Sequence, residues 1–160
     1  ELGHKTHYFA ENYIPGKITE NGHQVAAKKF LDELPSHYEI AIKEARMFNK
    51  KYKYAGTSDL ILLDKRDNTL VIADYKTNKD LFKDYKKNML YPFQSLLDNN
   101  FNKYQLQLSY YQILLEQVAC ELNTRISNRV LIHLLPTGEY LIYKTQDLTS
   151  YLKALMDESI

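Results

Sequence analysis

Lys53-Tyr54-Ala55-Gly56-Thr57-Ser58-Asp59-Leu60-Ile61-Leu62-Leu63-Asp64 and Thr69-Leu70-Val71-Ile72-Ala73-Asp74-Tyr75-Lys76 are two largely apolar runs separated by the polar Lys65-Arg66-Asp67-Asn68. Short runs rich in Leu, Ile and Val on either side of a polar turn predict a β-hairpin. A turn centred between Arg66 and Asp67 sets Leu63 opposite Leu70, Ile61 opposite Ile72, Asp59 opposite Asp74 and Thr57 opposite Lys76. Residues two apart on a strand point the same way, so Lys76 shares a face with Asp74. Leu60, Leu62, Val71 and Ala73 occupy the other face. Both faces are apolar, as expected of central, buried strands.

Two carboxylates opposite each other on a buried sheet have Cβ atoms about 4.5–5.5 Å apart and repel. A divalent cation between Asp59 and Asp74 removes the conflict. Mg²⁺ suits such a pair, because it takes one or two carboxylates and keeps waters that a substrate phosphate can displace. Lys76 brings a positive charge to the same spot, where it could orient or deprotonate an attacking water, or neutralise charge growing on a phosphate. The plainer alternative puts both aspartates at strand ends, with Lys76 as a surface ion-pair partner.

Outward from the hairpin, residues 3–13 read as a helix closed by Pro15 and Gly16. Thr19 or Asn21 caps a second, running to Leu34 with Val25, Ala26, Phe30, Leu31 and Leu34 on one face. From Tyr38 the pattern alternates, with Ile40, Ile42 and Glu44 on one side of a strand. After the hairpin come a helix from about Phe101 to Leu122 (Leu108, Tyr111, Leu115, Val118 and Leu122 at helical spacing), strands at 129–135 and 140–143, and a helix begun by Asp147 or Thr149. Helices flanking a mixed central sheet satisfy this order, an α/β domain.

The 160 residues fit a single domain, 1–160, able to bury roughly 70% of its unfolded surface. The chain begins with Glu1 rather than Met, and further sequence is expected before it. One cysteine, Cys120, rules out an internal disulfide framework, a self-contained four-cysteine zinc site and an iron–sulfur cluster, and fits a cytoplasmic setting. No apolar run spans a bilayer, so no membrane partner is expected. Lysine plus arginine number 21 against 20 acids, so any case for nucleic acid rests on local charge and on a site.

Residues 77–100 form a long connection, which in a compact domain usually signals function or disorder. Leu81, Phe82, Tyr85 and Met89 could make one apolar stripe, and Lys76, Lys79, Lys83, Lys86 and Lys87 outnumber Asp80 and Asp84. Lysines mixed with aromatics suit single-stranded DNA; a short amphipathic helix with a solvated basic face is the alternative. His4 and His7 could pair on zinc, but no cysteine accompanies them, while His23 and His37 read as surface or packing residues. Glu44 could reach the metal or pair with a lysine.

Ala55-Gly56-Thr57-Ser58-Asp59-Leu60-Ile61 followed by Ala73-Asp74-Tyr75-Lys76-Thr77 resembles the G-x-x-D … D-x-K signature of RecB-like nucleases in the PD-(D/E)XK superfamily. Gln105-Leu106-Gln107-Leu108-Ser109-Tyr110-Tyr111 resembles that branch's Q-L-x-x-Y motif, with Gln107 and Tyr111 in the motif positions. Glu116 falls where relatives often carry an acid. Gly3, His7 and Glu11 resemble the upstream G-x-x-x-H helix, with His4 as a rival histidine. The resemblance runs in order from residue 3 to about 116. It implies a restriction-endonuclease-like core, phosphodiester hydrolysis in DNA, and Mg²⁺ or Mn²⁺ as cofactor without an iron–sulfur cluster. It also implies Asp59, Asp74, His7 and the Tyr75 carbonyl as metal ligands, Lys76 as catalytic lysine, and Gln107 and Tyr111 contacting DNA or organising the site. Ser58 replaces the proline of the superfamily's name.

The expectation is therefore a DNA exonuclease acting on ends or single strands in recombination, repair or phage DNA processing, with a recombination protein as possible partner and Lys79, Lys83, Lys86 and Lys87 on DNA. A non-catalytic DNA-binding module on a nuclease fold and a structure-selective endonuclease are the alternatives. The intact D-x-K argues against the first, and the Gln107–Tyr111 motif against the second.

Overall fold

The computed structural model describes residues 2–83 and 85–158. Chain order is α1 (Leu2–Glu11), α2 (Gly22–Asp32), β1 (Tyr38–Asn49), β2 (Tyr54–Asp64), β3 (Thr69–Lys76), α3 (Asn100–Glu121), β4 (Ile126–Leu134), β5 (Tyr140–Lys144) and α4 (Thr149–Glu158). The strands form one five-stranded sheet in the order β1-β2-β3-β4-β5. All neighbours are antiparallel except β3 and β4. A parallel pair needs a crossover, and α3 supplies it. The chain is thus an α/β domain with a mixed sheet flanked by four helices. No described helix is long and apolar enough to cross a membrane.

Asn21 caps α2 by accepting from the Gln24 N–H, and Asn99 caps α3 by accepting from Asn102. Each side chain satisfies one of the N–H groups that a helix start leaves free. Phe9, Ala26, Ala27 and Phe30 of the first two helices pack on Leu60, Leu62, Val71, Ala73 and Tyr75 from one sheet face. Leu108, Tyr111, Leu114 and Leu115 of α3 pack on Met47, Ile61, Ile72 and Leu131 from the other. The helix α4 lies against α3.

Several expected faces need correction. Val25, Val118 and Leu122 are exposed, because helix and sheet meet along narrower stripes than the periodicity drew. In α2 the unanticipated Ala27 takes the buried place. A register shift between Ile40 and Ile42 breaks the alternation of β1, so Ile40 packs on the core while Ile42 is exposed. The described residues between 81 and 89 form no helix. Leu81 is buried, Phe82 stacks on Phe101 at 4.7 Å, and Tyr85 is exposed, so the stripe does not exist as one face. Asp84, counted with that segment, lies outside the described residues.

Candidate active site

The hairpin register holds from Asp64↔Thr69 to Leu60↔Ala73, and there the ladder ends. Beyond that point β2 follows β1, where Thr57 pairs with Arg46, and β3 follows β4, where Lys76 pairs with His133. The expected Asp59–Asp74 and Thr57–Lys76 pairs therefore do not form part of the ladder. Strands that part leave backbone groups unpaired, and an unpaired buried amide is costly. The two aspartates fill the gap with their side chains. Asp74 Oδ1 accepts from the Asp59 N–H at 2.8 Å, and Asp59 Oδ2 accepts from the Tyr75 N–H at 2.9 Å. Ser58 Oγ adds a 3.2 Å bond to Asp74 Oδ1.

The strand faces also switch here. Gly56 packs beneath Tyr111 and Leu114 on the α3 side, yet Leu60 belongs to the core on the opposite side. On β1, Ala45 faces α3 while the Lys43 ammonium reaches the Tyr13 carbonyl, and Glu44 between them has φ of 50°. This left-handed residue lets the arm beyond Glu44 turn relative to the rest of the sheet.

Asp74 is 3% exposed. Burial, and then the charge of Asp59, push its carboxyl up to about 7 despite the opposing Asp59 N–H and Lys76. The Lys76 ammonium lies 3.9 Å from Asp74 Oδ2 and donates to Gln107 Oε1 at 3.1 Å. It also sits 4.2 Å from the centroid of the Tyr104 ring. Tyr104, at i−3 from Gln107, was missed in the sequence, although the shared helix face was legible. Its hydroxyl donates to Asn78 Oδ1 at 2.8 Å, and the Asn78 carbonyl accepts from His133 Nε2 at 2.7 Å. Since that carbonyl can only accept, His133 carries its proton on Nε2. Its buried Nδ1 has no partner among the described residues.

The two candidate histidines separate cleanly. His4 is exposed, whereas His7 Nδ1 lies 3.0 Å from Asp59 Oδ1. Burial opposes charge on His7, but the Asp59 hydrogen bond and the charges of Asp59 and Asp74 outweigh it and raise its pKa. Glu11 and Glu44 line a small pocket with His7 and Asp59. The Glu44 carboxyl is raised by burial and then by Asp59 and Glu11. Tyr75 is buried, its ring edge-on to His7 and Phe30.

Other expected residues lie elsewhere. Tyr111 is buried, packed on Gly56, and its hydroxyl is raised by burial and then by Asp74 and Asp59; this places it under the site, not on a surface. Glu116 pairs with Lys153 at 2.8 Å, away from the carboxylates. Lys79, Lys83, Lys86 and Lys87 are exposed, with Lys83 over Tyr85 and Lys87 paired with Asp98 at 3.2 Å.

Among the described residues, no three His, Cys, Asp or Glu side chains are gathered as metal ligands. The side-chain donors for a cation are the two carboxylates, with His7 serving as partner to Asp59. The half-buried Asp59 and the buried Asp74, whose charges repel, are hard oxygen donors of the kind Mg²⁺ accepts without further side chains. No family model matches the chain, and a search of curated proteins finds no match.

Proposed function

We propose that this chain is a metal-dependent deoxyribonuclease with a restriction-endonuclease-like core, of the RecB-like branch of the PD-(D/E)XK superfamily, and that it acts on DNA as an exonuclease. The observation that carries the reading is the convergence of Asp59, Asp74, Lys76 and Gln107 where β2 and β3 part. Asp59, the Asp74–Lys76 pair and Gln107 come from three separate stretches of the sequence, and His7, 3.0 Å from Asp59, adds a fourth.

Asp59 and Asp74 would hold Mg²⁺ or Mn²⁺, which supplies Lewis-acid charge neutralisation at a phosphate. The protein's own groups do the rest. Gln107 accepts one Lys76 N–H and Tyr104 lies beneath the ammonium, so the charge is held within reach of Asp74. A fixed ammonium stabilises charge growing on the phosphate without reorganising when it appears. His7 orients Asp59. Recombination, repair or phage DNA processing would use such an activity.

End-labelled linear DNA and closed circular DNA, each incubated with Mg²⁺, Mn²⁺ or excess EDTA, test the proposal. Loss of label from linear DNA with metal, circles left intact, and no activity of Lys76→Ala are expected. Cleavage in excess EDTA, or none with either metal, overturns it. Nicked circles select the endonuclease alternative.

A further inference from the structure

Residues 45–58 carry Arg46, Lys50, Lys51 and Lys53 and no acid, in a chain whose 21 basic and 20 acidic residues nearly cancel. They build the far arm of β1 and β2, beyond the Glu44 twist. Along β1 the arm alternates strictly: Ala45, Met47 and Asn49 are buried, while Arg46, Phe48 and Lys50 are exposed. The buried side is clamped to α3. Asn49 Nδ2 donates to the Ile113 carbonyl, and the Tyr110 hydroxyl donates to the Ala55 carbonyl at 2.7 Å. The turn is tied to α4, where Asp157 accepts from the Tyr52 hydroxyl at 2.9 Å and pairs with Lys51 at 3.4 Å. These contacts of the arm are all to α3 and α4.

On its free side Phe48 is 57% exposed, and no aromatic ring among the described residues packs on it. Arg46 lies two residues before it on the strand, Lys50 is exposed at the first turn residue after the strand, and Lys53 is exposed further along the turn. A solvent-facing phenylalanine between cations offers a flat apolar face with positive charge beside it, which a stacked base and its phosphate complement. The arm also leads straight from the candidate site. Thr57 pairs with Arg46 and Ala55 with Phe48, and these stand two and four residues from Asp59 on β2. At about 3.3 Å per residue, Phe48 lies roughly 13 Å along the strand from Asp59.

We infer that the outer face of this arm, with Phe48 as a stacking platform and Arg46, Lys50 and Lys53 as phosphate contacts, binds single-stranded nucleic acid running to the carboxylate site. Bases stack on exposed aromatics whatever their identity, and cations track the backbone beside them. The partner class deepens the nuclease reading and rests on it for the direction of the strand. The binding surface itself stands on the arm's own residues.

Binding of a fluorescein-labelled oligo(dT) by anisotropy, in EDTA so that nothing is cut, tests the inference. Phe48→Ala should weaken binding roughly five- to a hundred-fold, as loss of one stacked base does, with Phe48→Trp restoring it. Arg46→Gln/Lys50→Gln/Lys53→Gln should reduce the slope of log affinity against log salt by about 2, at roughly 0.7 per phosphate contact on single strands. Thermal melts should match wild type, because all four side chains are exposed. Wild-type affinity in Phe48→Ala together with an unchanged salt slope overturns the platform. Displacement of the DNA by poly-glutamate equally well with or without Phe48 makes the arm a general anion surface, and also overturns it. If wild type binds through the arm yet never cleaves with metal, the nuclease reading fails and the platform stands.

Discussion

Asp74→Asn should make the metal-free protein more stable at neutral and alkaline pH while abolishing activity. The ordinary aspartate value is 3.8, and Asp74 in the folded protein is pushed up to about 7 by burial and by Asp59. Between these values the folded state holds a proton that the unfolded chain has released. Stability therefore falls as pH rises through this window, and the full penalty is present above about 7. The interval corresponds to a ceiling of about 4 kcal/mol. Asparagine keeps an oxygen to accept from the Asp59 N–H and Ser58, but its amide needs a partner, at a cost of about 1–3 kcal/mol. The net gain is then about 2 kcal/mol, or about 4–8 °C in Tm for a chain of this size. His7 works in the same direction: its pKa is raised above 6.5, so its stabilisation is complete below 6.5 and lost as pH rises through the folded value. Wild type thus loses stability from two sources, the variant from His7 alone. Melts of both proteins from pH 4 to 8 in EDTA should show the variant below wild type at the acid end, where Asp74 is protonated and only the cost of the amide remains, and above it at pH 8. A variant melting below wild type at pH 8, or a difference that does not shift in the variant's favour as pH rises, would refute the reasoning. Restoring Mg²⁺ should stabilise wild type by mass action, about 2.7 kcal/mol at a hundred times the dissociation constant, and the variant much less.

Tyr104→Leu should lower kcat with little change in KM, because the ring supports the Lys76 ammonium and not the substrate, and Tyr104→Phe should retain most of the rate; a Phe variant as slow as Leu would assign the effect to the Asn78 hydrogen bond. Replacing Lys79, Lys83, Lys86 and Lys87 with Gln should weaken DNA binding and flatten its salt dependence, with the smallest share from Lys87, which Asp98 already neutralises in part; single-lysine titrations against salt give the order. Gly56→Ala would bring a methyl to 3.0 Å from Tyr111 and 3.1 Å from Leu114, and should cost about 1–3 kcal/mol by overpacking, read as a lower denaturation midpoint with an unchanged denaturant slope.

Local pattern determined a great deal. The two apolar runs around Lys65-Arg66-Asp67-Asn68 specified the hairpin and its register from Leu60↔Ala73 outward to the turn, because a one-residue slip would turn every buried side chain to the wrong face. The same alternation brought Asp59 towards Asp74 and Lys76, and helical spacing put Gln107 on the same helix face as Tyr111. Tertiary structure decided where the ladder stops. Each strand has two neighbours, and past Leu60 and Ala73 the pairings of β2 with β1 and of β3 with β4 prevail over their pairing with each other. That choice depends on residues remote in the chain, as does the left-handed Glu44 that turns the arm. Periodicity likewise could not tell His7 from His4, place Tyr104 under Lys76, or show which of the evenly spaced apolar residues of α3 face solvent. A side chain's partners are set by what packs against its element, and only the folded chain brings those elements together.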